Sequence, residues 1–439
     1  MKTDPSQDIS ASLRNSLYLV VALSMIFMTL VLATQPLFLK GLGLGRDNAG
    51  FVNANIQVIT ELVDLLFVGY LGYLSDRFGR IPIMYYGFVL SAITAAITPF
   101  CLEIGLFLGI SGVAVFYAAR IVMSIGSTAV WPQLGTLTGD YTTQKNRPML
   151  LAKVGFMTAF GATLVYAVLM QLPKYIGLTM VMMISVATAV AGAWLSRHFL
   201  TERAIPIKQE KFPFAKVMAL LRQDRDLRLS FLAAFSSRND MVIIGLFLMT
   251  WFIYFADLLP HVSHAQAAGQ AGIIIGFIGF IILVSLPFWG WLIQNVGRVE
   301  SLTLGMVLSG AGFTGMGLII NPFSWWTFLP ALFVGLGQAG CLLAPQTLAL
   351  DISPPDMRGS VMGAFNTVGC IGIVFFIQIG GFLFDLLSPT SPFIFTGLAN
   401  FVIMAYGLWV LRAGSRDGLK EEALARIGSR SARDTDLEL

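Results

Sequence analysis

Long apolar runs separated by short polar segments make up almost the whole chain. A helix needs roughly 20 apolar residues to cross a bilayer, and twelve runs are near that length. They predict membrane-spanning helices at 17–40, 50–74, 81–101, 106–131, 149–172, 175–199, 229–256, 271–293, 300–320, 325–349, 359–385 and 392–412. Helices are expected because the bilayer interior offers the backbone no other hydrogen-bond partners.

The composition indicates the same class of protein. Hydrophobic residues make up 56% of the chain and charged residues only 12%, whereas a soluble protein carries about 25% charged residues. So few charges cannot cover a water-facing surface, and the composition therefore excludes a soluble fold. The sequence predicts an all-α integral membrane protein with 12 transmembrane helices.

The distribution of Lys and Arg predicts how these helices are oriented. With the N-terminus inside, 23 of the 28 Lys and Arg residues lie in cytoplasmic segments, and only Lys40, Arg46 and Lys174 lie outside. The remaining two, Arg120 and Arg238, fall within spans. Because short cytoplasmic loops are enriched in Lys and Arg, both termini are predicted to lie on the cytoplasmic side.

The two halves of the chain carry similar short motifs at a nearly constant offset. The segment 72–80 after the second span matches 290–298 after the eighth, 218 residues later. Further matches follow the fourth and tenth spans: Pro132-Gln133 with Pro345-Gln346, Asp140 with Asp351, and Arg147 with Arg358. Six-helix halves related in this way are typical of alternating-access transporters, which bind substrate between the halves near the bilayer midplane.

These features divide the chain into two pseudo-symmetric six-helix bundles with polar segments around them. We predict an N-terminal tail (1–16), a first bundle (17–199), a central loop (200–228), a second bundle (229–412) and a C-terminal tail (413–439). The tails and the central loop are predicted to be cytoplasmic.

Charged and glycine residues cluster in the cytoplasmic turn between the second and third spans. Gly72 is expected to let a neighbouring helix come close, Gly79 permits a tight turn, and Asp76 suits a helix N-terminus or an arginine partner. We interpret the cluster and its counterparts as a latch that holds one conformation of a moving interface: Gly72, Asp76, Arg77, Gly79, Arg80, Asp140, Arg147, Asp351 and Arg358. The alternative is that Arg77 and Arg80 only hold the loop inside.

This turn resembles the signature loop of the major facilitator superfamily, G-x-x-x-D-R-x-G-R, at every named position from Gly72 to Arg80. In the second-half copy, Gln and Asn replace the Asp-Arg pair. The fourth span from Arg120 is similar to the family pattern R-x-x-x-G-x-G, with Ser124 in place of one glycine. The resemblance covers roughly residues 15 to 412, and it implies a central cavity between two bundles and rocker-switch transport.

The second span holds the densest set of polar residues in the membrane. Asn53, Gln57, Thr60 and Asp64 fall within about 60° of one another on a helical wheel, and Glu61 lies beside them. Ionisable residues this deep in a span are costly and usually functional. Burial favours the neutral form of a carboxyl, and a second carboxyl nearby favours it further, so one acid is expected to carry protons. The alternative is a polar helix interface in which each carboxyl pairs with an arginine.

Two arginines are also predicted to lie deep in the membrane. Arg120 is fourteen residues into the predicted fourth span, where it is expected to pair with Asp64 or Glu61, to hold an anionic substrate, or to form a purely structural pair. Arg238 lies about ten residues into the seventh span, roughly 15 Å at the helical rise, with Asp240 as its expected neighbour. The resemblance implies that both helices line the cavity, so Arg120, Arg238 and Asp240 join Asn53, Gln57, Glu61 and Asp64 in the predicted substrate and ion pathway.

The sequence favours a secondary active transporter of a small solute, coupled to protons. One elementary charge that moves through 100 mV provides about 2.3 kcal/mol, which can drive uptake or export. The two deep arginines favour an organic anion, whereas the oxygen atoms of the second span suit a hard cation: Asn53, Gln57, Glu61 and Asp64. No metal site is assigned, and Glu61 and Asp64 are candidate ligands.

The segment "GFVNANIQVITELVDLL", which begins at Gly50, resembles the magnetosome-membrane branch of the superfamily. This resemblance implies iron or another divalent metal as an alternative cargo, and the magnetosome membrane as an alternative to the inner membrane. A transporter-like receptor or scaffold, which binds a ligand without moving it, is the alternative from a different class.

Other classes of function are not favoured. The sequence contains no Gly-rich nucleotide loop, catalytic triad or haem motif, so neither an enzyme nor a resident cofactor is predicted. The net charge of +4 arises in the cytoplasmic loops, and it predicts contact with anionic lipid headgroups rather than nucleic acid. The expected partners are the solute or ion, protons and the lipid bilayer, and we expect a monomer.

Overall fold

The computed structural model describes most of the chain. Its backbone is described for residues 10–141, 147–202, 214–354 and 357–435. Within these ranges, side chains are described except at 76, 147–149, 214, 358–359 and 414–435.

Long α-helices make up almost all of the described structure, which confirms the predicted fold class. The first half contains Ala11–Gly41, Ala49–Phe78, Arg80–Ile97, Cys101–Leu108, Gly112–Asp140, Arg147–Ala167, Pro173–Ile176 and Leu178–Phe199. The second half contains Phe214–Gln223, Arg225–Ser237, Asp240–Ile243, Met249–Phe255, His264–Asn295, Arg298–Gly317, Phe328–Ile352, Arg358–Leu386 and Ser391–Thr435. Short 3₁₀ or π turns join the pieces of the third, fifth and seventh spans.

Eleven segments of the described chain are long and apolar enough to cross a membrane. The predicted ninth span is present as the helix Arg298–Gly317, which has 20 residues but is less apolar than the others. Gly305 and Gly312 account for part of the lower hydropathy of this helix. A larger apolar residue does not fit at either position, because a Cβ there would meet the backbone of a neighbouring helix. The helix packs mainly between the tenth and twelfth spans, so it needs less apolar surface than a helix that faces lipid.

Three predicted helix starts differ from those in the structure by six or seven residues, and the first of them is the first span, which begins at Ala11 rather than at 17. The fourth span begins at Gly112 rather than at 106, because Gly109 ends the preceding helix in a left-handed conformation with φ +70°. Arg120 is therefore the ninth residue of its helix and lies closer to the outer end than predicted. The eighth span begins at His264 rather than at 271, where Ser263 forms a capping box with Gln266.

The two halves meet on the outer side of the membrane. The second helix packs against the eleventh, and the fifth packs against the eighth. Glycines allow these helices to come close: a Cβ on Gly50 would lie 2.5 Å from the Cβ of Phe384, and one on Gly272 would lie 2.5 Å from the carbonyl oxygen of Tyr166. The outer contacts close that side, and a cavity between the halves lies on their cytoplasmic side.

Candidate functional site

The two acids of the second span lie in the middle of an uninterrupted helix. Glu61 is the thirteenth and Asp64 the sixteenth residue of the 30-residue helix Ala49–Phe78. The amide nitrogen of Gln57 donates a hydrogen bond of 3.0 Å to Glu61 Oε1. The hydroxyls of Ser124 and Thr128, one turn apart on the fourth span, both donate to Asp64 Oδ1. Glu61 and Asp64 are thus oriented by neutral donors.

Asn53 belongs to a different contact. Its backbone and side-chain oxygens accept hydrogen bonds of 3.0 and 3.2 Å from the Gln35 amide of the first span. Asn53 is fully buried at this helix crossing. The structure therefore separates Asn53 from the acids with which the sequence grouped it, because it lies two to three turns nearer the outer end of the helix.

Arg120 reaches the acids only through Gln57. Its guanidinium is buried and donates a 3.3 Å hydrogen bond to Gln57 Oε1, while the Gln57 amide donates to Glu61. Among the described residues, no nitrogen of Arg120 lies within 4.0 Å of a carboxylate. The expected direct ion pair with Asp64 or Glu61 is not formed, since the glutamine lies between the charged groups.

Arg238 lies where the seventh span is interrupted. The helix Arg225–Ser237 ends there, a new helix begins at Asp240, and a π turn follows at Ile244–Leu248. Arg238 Nη1 donates a 2.8 Å hydrogen bond to Asn366 Oδ1 of the eleventh span. The arginine side chain passes over Gly369, where a Cβ would clash with it. Interrupted spans and π turns occur often at functional sites.

Asp240 does not face this site, which corrects the prediction that it accompanies Arg238. It is fully buried inside the second half, where Ser309 donates to its Oδ2 at 3.1 Å. Asn400 donates in turn to the Ser309 hydroxyl at 3.0 Å. Residues two positions apart on a helix point in different directions, so Arg238 and Asp240 reach opposite sides of the seventh span.

A cavity of about 290 Å³ lies between the two halves and brings these groups together. Glu61 and Asp64 line its first-half wall, and Arg238 and Cys370 line the opposite wall. A second cavity of about 200 Å³ borders the same acids and extends to Gln57 and Arg120. The structure thus places oppositely charged groups from both halves around one space near the middle of the membrane.

Three further residues at this cavity were missed as candidates from the sequence: Thr128, Ser127 and Cys370. The four-residue spacing of Ser124 and Thr128 was a signal for two hydroxyls on one helix face. Cys370 gave no such signal, because only the packing of the halves brings it to the acids. Within the described part of the chain, no group of three or more His, Cys, Asp or Glu residues is placed to hold a metal ion.

The cytoplasmic cluster forms matching ion pairs in the two halves. Arg80 pairs with Asp140, and Arg298 pairs with Asp351. Each pair joins neighbouring helices of the same half. Gly79 and Gly297 precede these arginines with φ +97° and +135°, a region that strongly favours glycine.

Other members of the cluster differ from the expectation or lie outside the described part. A Cβ on Gly72 would meet nothing within 4 Å, so the predicted close helix approach is wrong for this conformation. The Arg77 guanidinium lies 5.3 Å from the ring of Phe78. The side chains of Asp76, Arg147 and Arg358 lie outside the described residues.

The start of the central loop is attached to this cluster. Glu202 Oε2 accepts a 3.1 Å hydrogen bond from the backbone N–H of Ile81, in the first turn of the third span. The Tyr141 hydroxyl donates to the Thr201 carbonyl at 2.7 Å and accepts from the Thr201 N–H at 3.0 Å. The segment that leads from the first half to the second is therefore bonded to the third and fourth spans.

Comparison of the chain with known proteins identifies its family. The model of the Major Facilitator Superfamily matches residues 17–377 and 241–432. The chain is 49% identical to magnetosome protein MamH of Paramagnetospirillum magneticum, over 95% of this chain and 96% of that protein. It is 34% identical to magnetosome protein MamZ of the same organism, over 94% of this chain but only 65% of MamZ.

The structure is also similar to a solved transporter. It matches the nucleoside transporter NupG with a TM-score of 0.71, over 90% of this chain and 99% of that one. At 13% identity, this similarity shows the fold alone. The family match and the 49% identical relative show that the chain belongs to the major facilitator superfamily, a family of secondary transporters.

Proposed function

We propose that the protein moves a small solute or ion by proton-coupled alternating access, with the acids of the second span as proton carriers. The observation that carries this proposal is the position of Glu61 and Asp64 on one wall of the cavity, opposite Arg238 on the other. Rocking of the halves changes the distance between these walls. It therefore changes how strongly Arg238 stabilises the ionised acids, and this couples proton binding to conformation.

The two acids suit different roles in this proposal. Asp64 is oriented by two hydroxyl groups of the fourth span, whereas Glu61 accepts one side-chain hydrogen bond, from Gln57. Glu61 therefore has the greater freedom to exchange a proton or to contact cargo. Asp64 holds the second and fourth spans together and adds negative charge beside Glu61.

Transport in proteoliposomes tests the coupling. An imposed pH gradient is applied to wild type, Glu61→Gln and Asp64→Asn, with Glu103→Gln as the control acid at an exposed position near the outer end of the third span. Radioactive succinate, citrate and manganese(II) serve as cargo probes. We expect wild type and the control to accumulate one of these only with the gradient, and Glu61→Gln to lose that dependence. Full pH dependence in both acid variants would contradict the assignment, and binding without accumulation would favour a receptor.

A divalent metal such as iron(II) is the second candidate cargo. Its support is the set of oxygen atoms at the cavity, from two carboxylates and the hydroxyls of Ser124 and Thr128, because such hard ligands suit divalent cations. The similarity to MamH and MamZ, which are named as magnetosome proteins, leads us to propose the magnetosome membrane as the location.

Metal uptake can be measured separately from proton coupling. Iron(II) is added to proteoliposomes that contain a metal-quenched dye, with and without a pH gradient. We expect wild type to quench the dye and Asp64→Asn to quench at least tenfold more slowly, while Glu103→Gln matches wild type. Rates no faster than those of empty liposomes would exclude this cargo, and equal rates in all three proteins would exclude Asp64 as a ligand for it.

A further inference from the structure

A groove runs along the lipid-facing surface of the first half, between the third and sixth spans. It encloses about 480 Å³. Its floor is formed by two small buried residues, Ala92 and Ala193, and its walls by the exposed side chains of Ile93, Val190 and Trp194. The small floor residues leave a channel between the two helices that is apolar along most of its length.

One end of this groove carries a positive charge. The sixth span ends at Phe199 on the cytoplasmic side, so Arg197 lies in its last turn, at the level of the inner-leaflet headgroups. The Arg197 guanidinium lies 4.8 Å from the centre of the Tyr85 ring, which fixes its plane and leaves its N–H edge available. In the described ranges Arg197 has no ion pair, so no carboxylate of these ranges neutralises its charge.

Two aromatic groups complete this end. The His198 ring lies 5.6 Å from the Trp194 ring, and its Nδ1 is 2.9 Å from the Trp194 carbonyl oxygen. Because a carbonyl only accepts, Nδ1 carries the hydrogen, and Nε2 is the second polar atom at the mouth of the groove. Trp side chains at this depth lie between hydrocarbon and headgroups.

We propose that the groove binds an anionic phospholipid of the inner leaflet, with its phosphate at Arg197 and one acyl chain along Ala92 and Ala193. Ile93 follows Tyr85 by eight positions, about 12 Å along the helix. The hydrocarbon of one leaflet is about 15 Å thick, so the groove follows an acyl chain over most of its depth. The positive charge at the cytoplasmic end matches the anionic lipids of that leaflet.

Quenching of tryptophan fluorescence tests the proposal on the full-length protein in nanodiscs. The nanodiscs contain phosphatidylcholine alone or with an equal amount of phosphatidylglycerol whose acyl chains are brominated. The fluorescence of Trp194 is obtained by subtracting the emission of Trp194→Phe from that of wild type. We expect brominated phosphatidylglycerol to quench this signal in wild type, and Arg197→Gln to weaken the apparent affinity about fivefold, the effect of one basic residue at an anionic surface.

Two further measurements separate a lipid site from general surface charge. Arg222→Gln removes an exposed arginine of the helix Phe214–Gln223, away from the groove, and should leave the quenching unchanged. Excess glycerol 3-phosphate, which has a phosphate but no acyl chain, should not displace the lipid. Equal losses in Arg197→Gln and Arg222→Gln, unchanged quenching in Arg197→Gln, or displacement by glycerol 3-phosphate would overturn the proposal.

Filling the groove provides an independent test. Ala193→Trp places a large side chain on the floor, and native mass spectrometry then counts the phosphatidylglycerol molecules that remain bound. We expect one fewer retained lipid than in wild type, with no change for Gly155→Ala, where a Cβ meets nothing within 4 Å. Retention of the same number of lipids in Ala193→Trp would contradict the site.

Discussion

The Lys40 ammonium lies 2.6 Å from the Asp257 carboxylate and joins the two halves on the outer side of the membrane. Lys40 is in the last turn of the first span, and Asp257 is in the 3₁₀ turn Ala256–Leu258 that ends the seventh. Asp257 also lies 2.7 Å from the His264 ring, and the ammonium lies 4.4 Å from the centre of the Tyr254 ring. This cluster is one of the contacts that keep the outer side closed.

Loss of this pair should open the outer side slightly. Because Lys40 and Asp257 are partly exposed, Asp257→Asn is expected to weaken the closed state by no more than about 1 kcal/mol, up to fivefold in the closed-to-open ratio. Pulsed EPR between spin labels at positions 47 and 321, in a variant without the native cysteines, should show a larger long-distance population. Glu103→Gln, on the first half alone, should leave the distribution unchanged, and an unchanged distribution in Asp257→Asn would refute this role.

Substitution of an outer-side glycine should have a larger effect. A Cβ on Gly272 would lie 2.5 Å from the Tyr166 carbonyl, whereas one on Gly290 of the same helix would meet nothing within 4 Å. Gly272→Val is therefore expected to cost about 1–3 kcal/mol of overpacking strain in the closed state and to reduce transport, and Gly290→Val is the matched control. Thermal unfolding and transport rates measure both effects. Equal losses of stability and transport in the two variants would show that valine destabilises this helix at either position, and would contradict a specific role for the Gly272 contact.

The two cytoplasmic ion pairs should differ in strength although they occupy matching positions in the two halves of the sequence. The side chains of Arg80 and Asp140 are 7% and 21% exposed, whereas those of Arg298 and Asp351 are 43% and 44% exposed. Arg80→Gln is expected to destabilise the protein by about 3 kcal/mol, near the lower end for breaking a buried pair. Arg298→Gln should cost less than about 1 kcal/mol. Denaturation of both variants in the same detergent checks the order, and a reversed order would contradict it.

Arg120 and Asp64 should be energetically coupled although they do not touch. Arg120→Met leaves the two acids without the nearby buried positive charge, and Asp64→Asn alone removes a charge that Arg120 stabilises. The double variant should be more stable than the sum of the single effects by about 0.5–3 kcal/mol. A double-mutant cycle of thermal unfolding measures this energy, with Arg120→Met and Glu103→Gln as the unrelated pair. Additive effects of Arg120 and Asp64 would contradict the coupling.

The Glu202 contact should stabilise the start of the third span. Glu202→Ala removes the acceptor for the Ile81 N–H, and we expect a loss of about 1 kcal/mol, as for other groups that cap a helix N-terminus. Tyr141→Phe removes both bonds to Thr201 and tests the adjacent attachment of the central loop. Hydrogen exchange of the first turn of the third span should increase in Glu202→Ala. Unchanged protection there would show that the contact does not hold this turn.

Much of the candidate site could be predicted from residue type and depth. Glu61, Asp64 and Arg238 were identifiable because an ionisable residue in an apolar span is costly and must find a partner. Asp240 met the same criterion but lies inside the second half, bonded to Ser309. Helix periodicity places Arg238 and Asp240 on different sides, but it does not say which side faces the cavity.

The membrane class, the helices, their orientation and the internal repeat could all be predicted from the order of the residues. These features depend on local hydrophobicity, on the length of each apolar run and on the placement of Lys and Arg. Each of these is a property of a segment by itself, whatever that segment packs against. The packed structure was needed to show that Gln57 lies between Arg120 and Glu61, that Cys370 shares a cavity with Asp64, and that the halves meet on the outer side. Such contacts join residues far apart in the chain, and they follow from how the helices pack rather than from any one helix.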